Sequence, residues 1–259
     1  MQVNNGFGHI FDSAVQDYDR WRPDYPAVLF EDIFAVCPLN EHSRALEIGI
    51  GTGQATRPIL ETGCTLTAVE PGANLTAFCA AKFAAFPRFE VVNSGFEAYQ
   101  APDASFDLVY AATAFHWIDA DVGYPRVLSL LKPGGAFARF ANHPYYQQDA
   151  LYDAVQAVYA KYRKGGKPPR VFAEADAEAL ARLPEKYGFV HTQCHMYRRE
   201  RRFTGAEYVG LLNTYSDNLA MEEKERARFY AEVQAAIEAH GGMIVIHDTI
   251  DLELAIKPE

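Results

Sequence analysis

From residue 44 onward, short apolar runs alternate with longer amphipathic ones. The runs at 45–48, 66–69 and 89–92 predict three strands, and those at 106–110 and 136–140 a fourth and a fifth. Between them the period becomes helical over 55–61, 73–83 and 122–131, the last stopped by Lys132-Pro133-Gly134-Gly135. Strands alternating with crossover helices imply a parallel sheet covered by helices on both faces. Ahead of this block, the prolines of Arg22-Pro23-Asp24-Tyr25-Pro26 stop any helix. Pro26 then opens a new one, with Val28, Leu29, Ile33 and Phe34 at helical spacing.

The rhythm breaks after Asn142. Residues 145–187 read as helical and polar, an inserted cap. A strand over 192–204, helices over 206–215 and 222–240 and a closing strand over 243–256 follow. The expected organisation is one domain of 259 residues: a lid at 1–27, a cofactor-binding core at 28–144, the helical cap insertion at 145–187, and completion of the sheet at 188–259.

With 49% hydrophobic and 22% charged residues, the chain has the balance of a folded protein. Its net charge of −10 argues against a nucleic-acid backbone as ligand, which takes a clustered basic surface. No apolar run approaches the roughly 20 residues that cross a bilayer, so no membrane partner is expected. Cys37, Cys64, Cys79 and Cys194 stand far apart, and the eight histidines show no HxxxH or HExxH spacing. No metal is expected, and reduced thiols fit the cytoplasm.

The most informative stretch is Glu47-Ile48-Gly49-Ile50-Gly51-Thr52-Gly53, between a strand and a helix. Glycines there allow positive φ and let a ligand lie against bare main chain. The dinucleotide fingerprint G-x-G-x-x-G is missed, because its third position is Gln54. Glu47, inside the strand, would repel a pyrophosphate and attract an ammonium or sulfonium group. Glu70 ends the next strand, where a carboxylate can accept hydrogen bonds from both ribose hydroxyls. The alternative is that it only caps the turn Pro71-Gly72.

This set resembles class I S-adenosylmethionine-dependent methyltransferases. Asn93-Ser94-Gly95-Phe96-Glu97, Ser105-Phe106-Asp107-Leu108-Val109 and Leu131-Lys132-Pro133-Gly134-Gly135-Ala136 are similar to later motifs of that family. Ala114-Phe115-His116-Trp117-Ile118-Asp119 and Tyr18-x-x-x-Arg22-Pro23-x-Tyr25-Pro26 resemble its type 11, trans-aconitate methyltransferase-like branch. The resemblance implies a doubly wound, mostly parallel, seven-stranded Rossmann-like α/β sheet, with S-adenosylmethionine as cofactor. It implies that Glu47 and the backbone of Gly49, Gly51, Thr52 and Gly53 hold the methionine end, and Glu70 with Pro71 the ribose. Gly95, Phe96 and Glu97 would meet the adenine, and Ala111 and Ala114 would border the methionyl chain and sulfonium. Phe96 stands where a small residue is common, and Thr113 where the branch often has Gln.

For a small-molecule acceptor, His116 is the candidate base and Trp117 a pocket wall, unless the pair only fixes its loop by packing. Tyr18 and Arg22 are candidates for folding over the cofactor, with Arg22 pairing a carboxylate or pinning the lead-in to the core. The basic stretch 161–170 either steers an anion or is a solvated loop. Arg198-Arg199-Glu200-Arg201-Arg202 reads as exposed charge alternating along a strand. Tyr208 and Tyr215 fit core or pocket equally. Small carboxylic acids are a candidate acceptor class. A non-catalytic S-adenosylmethionine-binding protein and an NAD-dependent oxidoreductase are the alternatives.

Overall fold

The computed structural model describes residues 15–163 and 170–259. Seven strands form one sheet: β1 (Arg44–Ile48), β2 (Thr65–Glu70), β3 (Phe89–Asn93), β4 (Phe106–Ala112), β5 (Leu131–Tyr145), β6 (Val190–Thr204) and β7 (Met243–Ile256). Their spatial order is β3-β2-β1-β4-β5-β7-β6. The first five run parallel, whereas β7 is antiparallel to both neighbours. The sheet is thus the mostly parallel, seven-stranded α/β arrangement expected.

Burial explains which runs became strands. β1 and β2 are buried almost end to end, as central parallel strands must be, so apolar residues occupy both faces, Ala45, Leu46 and Ile48 on one strand and Leu66, Ala68 and Val69 on the other. Leu29, Ile33, Leu66, Leu108 and Phe140 pack in one core cluster. Leu46, Val109, Val127 and Phe137 pack in a second.

Helix α1 (Val15–Trp21) precedes α2 (Ala27–Val36), whose N-cap is Pro26. On α2, Leu29 and Ile33 face the core, while Val28 is exposed. Three helices lie within the alternating block: α3 (Thr56–Leu60), α4 (Ala73–Lys82) and α5 (Ala120–Leu130).

The segment read as a cap holds α6 (Ala150–Tyr162) and α7 (Glu174–Arg182), which part company. Val155 on α6 joins a third core cluster with α8 (Gly205–Leu212) and α10 (Glu223–Ala239), through Tyr208, Phe229, Val233 and Ile237. Helix α7 lies instead against β6 and β7. The helix expected over 206–215 ends at Leu212, and a single turn, α9 (Ser216–Leu219), follows.

Part of the basic stretch, 164–169, and part of the lid, 1–14, lie outside the described residues. Of the rest, Lys161 pairs with Glu232, Arg163 with Asp217 and Arg170 with Asp176. Among the described residues no helix is long and apolar enough to cross a membrane, and no group of three or more His, Cys, Asp or Glu is arranged to hold a metal ion.

Candidate active site

A cavity of about 550 Å³ opens beyond the carboxyl ends of the parallel strands, beside the point where strand order reverses between β1 and β4. Open α/β sheets bind ligands at such a switch point, because the loops after the two strands diverge to opposite faces.

The turn after β1 supplies its floor. Gly49, Gly51 and Gly53 all take positive φ (69°, 58° and 85°). A Cβ on Gly49 would lie 2.7 Å from that of Ala114, and one on Gly53 would enter the Phe83 ring at 2.4 Å. Glycine at these positions lets the β4 loop and helix α4 close on the turn. Gly49 and Gly51 line the cavity, whereas Thr52 is buried behind it and Gly53 faces Phe83.

Two carboxylates flank this floor. Glu47 is 1% exposed, and its Oε2 accepts from the hydroxyls of Thr56 (2.7 Å) and Tyr110 (2.8 Å). Burial raises its pKa to about 7, against the two hydroxyl bonds that favour the anion. Among the described residues Oε1 has no hydrogen-bond donor, and Glu47 forms part of the cavity wall. Glu70 accepts from the amides of Gly51 (3.1 Å) and Gly72 (2.9 Å), so it does cap the Pro71-Gly72 turn. It also lines the cavity, as does Pro71.

Gly95, Phe96 and Glu97 border the same cavity from the loop after β3. Phe96 is 3% exposed, with the Arg126 guanidinium 5.6 Å from its ring centroid and Arg126 Nε donating to its carbonyl. Ala114 faces the cavity, but Ala111 is fully buried in the sheet core. Of the cofactor residues expected from sequence, Thr52, Gly53 and Ala111 therefore stand behind the wall.

His116 and Trp117 lie in a short 3-10 turn at Phe115–Trp117 and line the cavity, with ring centroids 5.0 Å apart. Packing of protein around the imidazole, helped by Arg139 and His143, lowers the His116 pKa, which keeps it neutral near pH 7. Arg22 lines the cavity too, but it is committed: Nε and Nη2 donate to the side chain and carbonyl of Thr214, and the Tyr18 and Tyr215 rings lie 4.9 and 4.4 Å from its centre. It pins the lead-in to the loop after α8.

Tyr25, Thr113, Asn142 and Arg201 complete the far wall. Thr113 has φ 53°, which is uncommon for a β-branched residue. Its hydroxyl bonds that of Tyr25 at 2.6 Å and accepts from the Asn142 amide. Arg201 corrects the sequence reading of 198–202. It donates through Nε and Nη2 to both oxygens of Asp248, a residue with no exposure. Arg199 and Asn142 also bond Asp248. Of the late tyrosines, Tyr215 lines the cavity, and Tyr208 is a core residue bonded to Tyr146 and Tyr159.

Residues 46–139 match the family model described as "Methyltransferase domain". This segment holds Glu47, the glycine turn, Glu70 and the His116 loop. The chain carries a methyltransferase domain. An uncharacterized methyltransferase of Schizosaccharomyces pombe is 26% identical over 234 residues, covering 89% of this chain and 88% of the relative. A malonyl-[acyl-carrier protein] O-methyltransferase of Marinomonas is 27% identical over 172 residues, 57% of this chain and 63% of the relative. A structure from Anaeromyxobacter dehalogenans, described as a type II methyltransferase, has a TM-score of 0.62 at 23% identity, covering 92% and 99% of the two chains.

In this methyltransferase, sequence reading missed Tyr25, Asn142 and Arg201 as cavity residues. Tyr25 stood within the lead-in motif, which is the one signal that pointed to it. Nothing local marks Arg201, since its partner lies 47 residues away.

Proposed function

We propose that this enzyme uses S-adenosylmethionine to methylate an oxygen of a small carboxylic acid. The observation that carries the cofactor reading is the buried Glu47 carboxylate beside a side-chain-free turn. An anion there costs burial energy unless a positive group arrives. The residues fit the cofactor: Gly49 and Gly51 present bare backbone to the cavity, and the Glu70 carboxylate, an acceptor of hydroxyl hydrogen bonds, lies on its wall. When bound, the cofactor supplies a methyl group on a positively charged sulfur.

The chain's own part is to bind, orient and exclude water. Glu47 and the turn would hold the methionyl end, Glu70 the ribose, and Phe96 would wall the adenine. An acid acceptor asks little more, because a carboxylate oxygen is already deprotonated near pH 7. Should the acceptor be a hydroxyl, neutral His116 is placed to receive its proton. The Marinomonas relative, whose name assigns it O-methylation of a malonyl group, supports an oxygen acceptor.

Titration calorimetry with S-adenosylhomocysteine tests the cofactor reading, and absence of heat overturns it. Incubation with methyl-labelled S-adenosylmethionine and carboxylic acids tests the transfer. Label in base-labile methyl esters is expected, and label only in base-stable products overturns the carboxylate assignment.

A further inference from the structure

The charged residues of the cavity divide by position. Glu47, Glu70 and Glu97 come from β1, β2 and the loop after β3, on the side proposed for the cofactor. Arg201 comes from β6, at the opposite edge of the sheet. Between β1 and β6 lie β4, β5 and β7, which is four strand spacings of about 4.8 Å each. Arg201 and Glu47 therefore reach the cavity from strands four positions apart.

Arg201 is held rigidly and yet has a nitrogen to spare. Its side chain is 12% exposed, and its bidentate pair with Asp248 fixes the plane of the guanidinium. Its third nitrogen, Nη1, is buried and has no hydrogen-bond acceptor among the described residues. A buried donor without a partner is costly, and native proteins keep few of them. Asp248 is shared, one carboxylate taking both Arg199 and Arg201. Arg201 thus lines the cavity while keeping a buried donor with no acceptor among the described residues.

We infer that Arg201 anchors an acid group of the methyl acceptor. The anchored group is distinct from the oxygen that takes the methyl, because an ion pair on the attacking oxygen would withdraw the electron pair that forms the new bond. Asp248 is the positioning residue, locking the guanidinium so that little side-chain entropy is lost when the acceptor binds. Arg22 is less suited to the task, because the Tyr18 and Tyr215 rings pack on it while Thr214 takes two of its nitrogens.

This inference rests on the cofactor reading above, and one experiment separates the two. The protein is saturated with S-adenosylhomocysteine and titrated with diacids from succinate to suberate and with phthalate, each beside its monoamide. The expected result is that at least one diacid binds tenfold or more tightly than its monoamide. Arg201→Gln should abolish that preference while S-adenosylhomocysteine affinity stays within twofold, and Arg201→Lys should restore part of it. Arg199→Gln, which loosens the same Asp248 at a residue that does not itself line the cavity, controls for loss of packing and should retain the preference.

A preference that survives Arg201→Gln, or no diacid binding to the wild-type complex, overturns the anchor. So does a large loss of S-adenosylhomocysteine affinity in Arg201→Gln, which would assign Arg201 to the cofactor's own carboxylate. Failure of the wild-type protein to bind S-adenosylhomocysteine sinks the cofactor reading instead.

Discussion

Gly51 donates its amide to the Glu70 carboxylate across 3.1 Å, so the turn after β1 is tied to the end of β2 by the residue assigned to the ribose. Glu70 therefore shapes the cavity floor as well as facing it. Glu70→Ala should weaken S-adenosylhomocysteine binding by about 1–3 kcal/mol, the cost of unpaired polar partners. It should also speed amide exchange at Gly51 and Gly72. Calorimetry and hydrogen exchange read the two effects separately, and unchanged affinity would remove the ribose role.

Glu47 should make cofactor binding depend on pH. Burial raises its pKa from 4.5 to about 7, so between those values the folded ligand-free protein holds a proton that the unfolded chain has released. Stability of the ligand-free protein should fall as pH rises across that window, by up to about 3 kcal/mol. A positively charged ligand favours the anion, so binding at pH 6.5 should release a proton and affinity should rise towards pH 7.5. Titrations in buffers of different ionisation enthalpy count the proton, and Glu47→Gln should abolish its release.

Gly53→Ala should destabilise the fold by about 2–4 kcal/mol in chemical denaturation, combining left-handed backbone with overpacking. The added methyl would fall 2.4 Å from a Phe83 ring atom, and that ring is buried. Gly51→Ala should cost about 1 kcal/mol, since its methyl would meet Tyr18 at an ordinary 3.6 Å. Its larger effect should appear in ligand affinity.

Asp248→Ala should cost about 3–5 kcal/mol at pH 7, because it strands two guanidinium groups around an emptied site. Burial alone would raise the Asp248 pKa, but bonds from Arg201 and Asn142 overcome this and hold it below the usual carboxylate range. Its contribution is therefore complete above that range and is lost as pH falls through the native value. Denaturation midpoints of wild type and variant should converge in acid.

The central strands are legible because burial on both faces places adjacent apolar residues in β1 and β2, Ala45-Leu46 and Ala68-Val69, close to glycine turns. Where a strand leaves the sheet core to wall the cavity, the pattern fails. β5 was expected over 136–140 and extends through Asn142 to Tyr145, as polar cavity residues follow its apolar run. The charges at 198–202 show the same limit. Alternation locates the two faces of β6, but it does not reveal that one face meets a buried aspartate from β7. Local chemistry announced the glycine turn and its carboxylates. The wall built by Arg201, Asn142 and Thr113 depends on long-range pairing, which no window of sequence displays.

The antiparallel strand β7 sits between β5 and β6, although it follows both in the chain. During synthesis β6 emerges with no neighbour to hydrogen-bond, and Arg201 emerges before its aspartate. The part of the cavity walled by Arg201 therefore assembles only after the ribosome has made β7, whereas the glycine turn and Glu70 can dock much earlier. A nascent chain arrested before Met243 should accordingly hold a half-built pocket and an open sheet edge, the state in which chaperones have most to protect.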